Sequence, residues 1–231
     1  MNPDEWEPEA YPLSVSELHT APRCPAVTAA ALDRGIVDIV HFTRYSGLVG
    51  ILRTGDVKGR SYLSDEDLIE FVYRPNAGDR SRDAAWQDYV NLSITAINTN
   101  LFEKASQEWH ADADWAILCF GPEILSEPGV VFTTSNNAYP STHRAGGPEG
   151  FDQMFADSIP WGYYGSTHTR RKRTAAQPTD PQAEVLYPHS LSLDHLHTIV
   201  VPDDEIGDRV HAALELGPWR PTFRCDPGAF Q

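Results

Sequence analysis

Pro181-Gln182-Ala183-Glu184-Val185-Leu186-Tyr187 places a carboxylate at the head of an apolar run, after a long polar segment that contains Arg170-Arg171-Lys172-Arg173. Val185, Leu186 and Tyr187 are strand-favouring, and the stretch predicts a short strand over 184–187. A glutamate launched from a loop into such a strand is held at the mouth of a sheet. There it can polarise a ribose hydroxyl or take a proton from a nucleophile. Two other segments add to it. In His41-Phe42-Thr43 the period of a strand sets His41 and Thr43 on one face and Phe42 on the other. In 89–94, Tyr89, Asn91 and Ser93 share a face, and Val90, Leu92 and Ile94 take the core side. Each has a bland reading alone: a satisfied core histidine, a solvent-facing polar strand.

The 231 residues suit one large domain with an appendage, and 41% hydrophobic and 10% aromatic residues are ordinary for a globular protein. No apolar run approaches the roughly 20 residues that cross a bilayer. The N-terminus, Met1-Asn2-Pro3-Asp4-Glu5-Trp6-Glu7, carries acids where a secretory signal carries bases. A cytoplasmic location is expected. The three cysteines, Cys24, Cys119 and Cys225, are odd in number and far apart, so neither a disulfide framework nor a zinc knuckle is indicated, and Cys119 reads as core. A formal charge of −15 argues against a broad basic surface for nucleic acid, so any such contact is local. Arg170 to Arg173 is the place for it, with a solvated loop as the alternative.

Residues 1–36, rich in Pro, Glu and Ala, read as an N-terminal extension with a short helix at 26–34, and 37–231 as a single domain. Strands are expected at 36–43, 89–97, 115–120, 130–134, 184–187 and 197–201. Ser46 is expected to cap a helix at 47–53 that Gly55 ends. The capping-box form of Ser64-Asp65-Glu66-Asp67 predicts a helix at 68–73, followed by a polar loop to Asp88. A short helix at 151–155, a long loop at 161–179, a turn at 191–196 and a C-terminal helix at 206–216, ended by Gly217-Pro218, complete the chain. Short strands separated by short helices and long loops predict an α+β fold on a split or mixed sheet, with no doubly wound alternation.

No GxxxxGK[ST], strand-linked GxGxxG, HExxH or GxSxG occurs. His195 and His197 alternate on one strand face, but no carboxylate at a convincing spacing completes a metal site, and none is expected.

The series His41-Phe42-Thr43, a helix of the Leu48-Val49-Gly50-Ile51-Leu52 kind, Asp88-Tyr89-Val90, Trp115-Ala116-Ile117-Leu118, Gly129-Val130-Val131-Phe132-Thr133 and Gln182-Ala183-Glu184-Val185-Leu186 resembles, over about 37–201, the DarT family. These are NAD-dependent ADP-ribosyltransferase toxins that modify bases of single-stranded DNA and are paired with an antitoxin that removes the mark. The resemblance implies an ADP-ribosyltransferase-like fold with NAD as co-substrate and Glu184 as the catalytic glutamate, preceded by a substrate-recognition loop at about 161–181. It also implies that His41 and Thr43 lie on the strand that binds nicotinamide and its ribose, and that Tyr89 packs against nicotinamide with Asn91 on the same face. The family uses an arginine upstream of the tyrosine motif, for which Arg80 and Arg82 are the candidates. A single-stranded DNA would be gripped by Arg170, Arg171 and Arg173 and its unpaired base stacked by Trp161, Tyr163, Tyr164 or His168.

Members that modify thymine follow the tyrosine motif with a Pro-Phe-Tyr-Phe-like run, whereas this chain has Asn91-Leu92-Ser93-Ile94-Thr95. The target base therefore stays open between guanine and thymine. So do two other outcomes: the same fold acting on RNA, on protein or on NAD alone, and a catalytically silent binding module in which Glu184 merely caps a strand.

Overall fold

The computed structural model describes residues 23–63, 86–162 and 165–231. The expected helix at 68–73, Arg80 and Arg82, and Tyr163 and Tyr164 lie outside the described residues.

The sheet is organised around Trp115–Phe120 (β4), whose six residues are all buried. Unbroken apolar character, rather than alternation, marks a strand covered on both faces. Ile39–Arg44 (β1) pairs antiparallel with β4 along its full length, from Ile39 opposite Phe120 to Arg44 opposite Trp115. Leu196–Val201 (β11) lies on the other side of β4 and pairs in parallel with the edge strand Thr222–Cys225 (β12). Beyond β1 come Tyr89–Ile94 (β3), Val185–Pro188 (β9), Val131–Thr133 (β5) and Arg144–Gly146 (β6). The sheet is thus mixed, with the order β12-β11-β4-β1-β3-β9-β5-β6.

Between β1 and β3 the sheet splits. They pair only at Ile39 with Ile94 and Val40 with Ser93, whereas β3 goes on to pair with β9 from Leu92 opposite Val185 to Tyr89 opposite Pro188. The His41 side chain stands at the point of divergence, its Nδ1 3.0 Å from the Asn91 carbonyl oxygen. A carbonyl oxygen only accepts, so Nδ1 carries the hydrogen.

On one face, Ile39, Leu92, Ile94, Leu118, Phe120, Ile199 and Val201 form the larger core. Helices cover it: Pro25–Asp33 (α1) through Val27 and Ala31, Tyr45–Thr54 (α2) through Leu48 and Leu52, Gly147–Gln153 (α4) through Phe151, and Asp204–Glu215 (α5) through Ile206, Val210 and Leu214. The helix expected within the N-terminal extension is therefore docked on the core. On the opposite face, Val40, Trp115, Ile117, Cys119 and Val200 pack with Phe102 of Thr99–Glu103 (α3).

Local chemistry accounts for several boundaries. Gly55, at φ 83°, closes α2 in the left-handed conformation open to glycine. Asp203 caps α5 by accepting from the Ile206 N–H at 2.9 Å, with Asp204 and Glu205 in the first turn. Ser46 does not cap α2. That helix begins a residue earlier, where Tyr45 is held from outside it: its N–H donates to the Asp114 carbonyl, its hydroxyl to that of Arg209, and the Arg209 guanidinium lies 4.2 Å above its ring.

The segment expected as a loop at 161–179 is entered by a hairpin, Ser158–Pro160 (β7) with Thr167–Thr169 (β8), too short and polar to show a strand period. Asp56–Lys58 (β2) pairs with Ser190–Ser192 (β10), where a plain turn was expected. The predicted alternation of His195 and His197 on one strand fails because His195 precedes β11, which has a register shift between Leu196 and Thr198. His195 lies in a 3-10 turn facing Glu123 at 3.4 Å, and His197 faces Asp38 at 3.2 Å. Among the described residues no three His, Cys, Asp or Glu side chains converge as a metal site requires, and no helix is long and apolar enough to cross a membrane.

Candidate active site

Glu184 stands immediately before β9, 7% exposed, next to the split. Its backbone is locked to β5: the Thr133 N–H donates to the Glu184 carbonyl at 2.9 Å, and the Glu184 N–H donates to Thr133 Oγ1 at 2.9 Å. Its carboxylate is held from two sides. Oε1 accepts from Asn91 Nδ2 on β3 at 3.0 Å, and Oε2 from the Asn137 backbone N–H at 2.7 Å. A carboxylate oxygen only accepts, so both groups donate to it, and they fix its orientation from two different elements. Ala183 and Val185, on either side of it, are in the core, and that alternation aims Glu184 away from the core.

The same face continues through Leu186 and Val131 to Tyr89, whose ring packs 5.2 Å from that of Trp86. Burial, followed by the charges of Asp88 and Tyr62, pushes the Tyr89 phenol up to about 12, so it stays neutral at working pH. Thr43, buried at 7% exposure, lies against the start of α2: a Cβ on Gly47 would sit 2.5 Å from its hydroxyl oxygen. The structure thus brings Glu184 and Asn91 into direct contact and joins His41 to Asn91. Tyr89 borders the same face, and Thr43 lies farther along β1.

Sequence reasoning missed the loop 134–143. It supplies Asn137 to Glu184, and its conformation is set by Arg144, whose Nε donates to Asn137 Oδ1 at 2.7 Å and Nη1 to the Thr142 carbonyl at 2.8 Å. A second tie joins this loop to the segment before Glu184: Ser135 Oγ donates to the buried Asp180 carboxylate at 2.6 Å. Asn136-Asn137, with an arginine seven residues farther on, carries no motif, so nothing in the sequence announced it.

The basic run divides. Arg170 Nη1 donates to the Gln177 carbonyl at 2.9 Å and Nη2 to that of Thr174 at 2.7 Å; Arg173 Nε donates to the Pro178 carbonyl at 2.9 Å. Burial lowers the pKa of both guanidinium groups, with the neighbouring charge of Arg34 adding to the effect at Arg170. These two arginines shape the loop that leads to Glu184, whereas Arg171 and Lys172 are exposed. His168, on β8, packs 6.1 Å from Trp161, which in turn lies 6.3 Å from Tyr139 of the loop that holds Glu184.

A split mixed sheet that presents a glutamate held by Asn91 and the Asn137 N–H beside the split has the architecture of an ADP-ribosyltransferase-like protein. The model of one family, described as DarT, ssDNA thymidine ADP-ribosyltransferase, matches residues 40–231, and the chain belongs to that family. Its activity is the transfer of ADP-ribose from NAD to a base of single-stranded DNA.

Solved structures agree on the fold. Thermus sp. 2.9 DarT in complex with NAD+ superposes with a TM-score of 0.60 at 17% identity, over 84% of this chain and 98% of that one. The same protein in complex with ADP-ribosylated ssDNA gives 0.61 at 16% identity, over 85% and 97%. Thermosipho africanus DarTG in complex with ADP-ribose gives 0.51 at 16% identity, over 84% of this chain and 51% of that one. No curated protein matches.

Proposed function

We propose that Glu184 is the catalytic carboxylate of this transferase and that the chain is the toxin of a pair whose antitoxin removes the ADP-ribose it attaches. The carrying observation is the Glu184 carboxylate, fixed by Asn91 and the Asn137 N–H beside the split. As the bond between nicotinamide and the ribose C1′ breaks, its electron pair leaves with nicotinamide and positive charge grows on the sugar. A carboxylate fixed beforehand stabilises that charge without reorganising. A base nitrogen then bonds to C1′ and passes its proton to the same carboxylate.

In this reading His41, Thr43, Tyr89 and Asn91 form the NAD side of the site, and Arg80 or Arg82 supplies the arginine for its phosphates. On the acceptor side, Arg171 meets strand phosphates and Trp161, His168 and Tyr164 meet the unpaired base, while Arg170 and Arg173 hold the loop that carries them. Thymidine, named in the family's description, is the acceptor to test first, with guanine as its rival. The DarTG resemblance supports a cognate antitoxin, and NAD and single-stranded DNA as the substrates support a cytoplasmic setting. The catalytic domain comprises 37–231, with 1–36 as an extension whose α1 docks on it.

Two single-stranded oligonucleotides, one lacking thymine and one lacking guanine, incubated with protein and NAD and read by mass spectrometry, test the reading. One added ADP-ribose on only one strand, abolished in Glu184→Ala with its thermal unfolding unchanged, is expected. Adducts formed by Glu184→Ala would sink the assignment. Release of nicotinamide with no adduct on either strand would point to water or another acceptor.

A further inference from the structure

Arg144 begins β6, opposite Thr133, at the exit of the loop 134–143. Its side chain folds back over that loop and binds oxygens on three of its residues: Oδ1 and the carbonyl of Asn137, the Tyr139 carbonyl at 3.2 Å and the Thr142 carbonyl at 2.8 Å. The guanidinium thus gathers the convergent oxygens of a chain reversal, which its planar fork can reach together and an ammonium cannot.

Asn137 is anchored through both its side chain and its backbone. It is 2% exposed, and Arg144 takes its two oxygens while its N–H points at Glu184 Oε2 from 2.7 Å. Its side-chain Nδ2 is buried without a hydrogen-bond partner. A buried unpaired donor is destabilising, and an aspartate of the same shape would hold Arg144 without that cost. An aspartate would also set a second negative charge beside the Glu184 carboxylate and disfavour its ionised form. The neutral amide satisfies the arginine and spares the glutamate.

The geometry points to Arg144 as a positioning residue for the transfer reaction. It acts through Asn137 to aim a backbone N–H at Glu184, and so fixes the carboxylate where charge develops on the ribose. This rests on the reading of Glu184 as the catalytic carboxylate. The Arg144 contacts run to the 134–143 loop, so its loss is expected to fall on turnover more than on NAD affinity.

The test compares Arg144→Ala, Arg144→Lys, Asn137→Ala and the double variant Arg144→Ala/Asn137→Ala, with Glu184→Ala alongside. The kcat and the KM for NAD are measured together with thermal unfolding. Asn137→Ala keeps the N–H and loses only its side-chain anchor.

The expected result is a fall in kcat of about 10–100-fold for Arg144→Ala with KM for NAD within about twofold. Arg144→Lys should recover part of it, and the double variant should be no worse than Arg144→Ala, because both changes release the same N–H. Single effects that multiply in the double variant, or a kcat loss that tracks lost thermal stability in every variant including the lysine, would overturn the role. An inactive Glu184→Ala beside a fully active Arg144→Ala overturns the positioning role alone. An active Glu184→Ala overturns the reading of Glu184, and the positioning role with it.

Discussion

Asn91 Nδ2 donates to Glu184 Oε1 at 3.0 Å, and this one bond ties the strand that opens the split to the carboxylate beside it. The Asn91 carbonyl meanwhile accepts from His41 across the divergence, so a single residue links both banks.

Two substitutions separate the charge of this contact from its shape. Asn91→Ala removes one of the two described donors on the carboxylate and is expected to lower kcat by about 10–100-fold. Asn91→Asp keeps the size but sets a second carboxylate against the first, disfavouring the ionised Glu184. It is expected to be the slower variant by about a further tenfold at neutral pH. Steady-state transfer rates of the two, compared with wild type, decide it; an aspartate variant as fast as the alanine would remove charge from the argument.

Tyr89 and Cys119 make the protein sensitive to alkali. Burial pushes both to about 12, from ordinary values of 10.0 and 9.0, with the charges of Asp88 and Asp38 adding to it respectively. Below about pH 9 both groups are protonated in the folded and the unfolded chain and contribute no slope. Above 9 for the thiol and 10 for the phenol, the unfolded chain gives up protons that the folded protein retains, so stability falls as pH rises, up to about 12. The melting temperature should therefore hold level from pH 7 to 9 and drop from 9 to 12. Tyr89→Phe should flatten the part above pH 10, and an unchanged slope in that variant would assign the drop to other groups.

The sheet was legible where burial left a pattern. The unbroken apolar run of β4 located its strand to the residue, and the alternation of 89–94 placed Asn91 and Leu92 on the faces they occupy. Glu184, at the junction of a polar loop and an apolar strand, showed its position but not its partners. Partners come from residues 47 and 93 positions away in the chain, which no local period encodes. The edge strand β12 was illegible because all four of its residues are exposed. The division of the basic run was hidden for a related reason: such a run reads alike whether its charges face solvent or fold back onto carbonyls, as those of Arg170 and Arg173 do.

Arg170 and Arg171 are neighbours with opposite work, and that contrast is measurable. Arg170 holds the carbonyls of Thr174 and Gln177, and its guanidinium lies 5.4 Å from the Phe155 ring that Arg34 also covers at 4.2 Å. Arg170→Ala leaves those carbonyls short of a donor and is expected to cost roughly 1–3 kcal/mol of stability. Arg171 is exposed, and Arg171→Ala should leave the melting temperature unchanged. Its loss should instead show in single-stranded DNA affinity, with the slope of log K against log salt shallower by about 0.7 for the one phosphate contact removed. Thermal unfolding and a salt series of binding isotherms on both variants read the two effects apart. A wild-type salt slope in Arg171→Ala would place the phosphate contact elsewhere, whereas a lowered melting temperature in that variant would give Arg171 the structural role assigned here to Arg170.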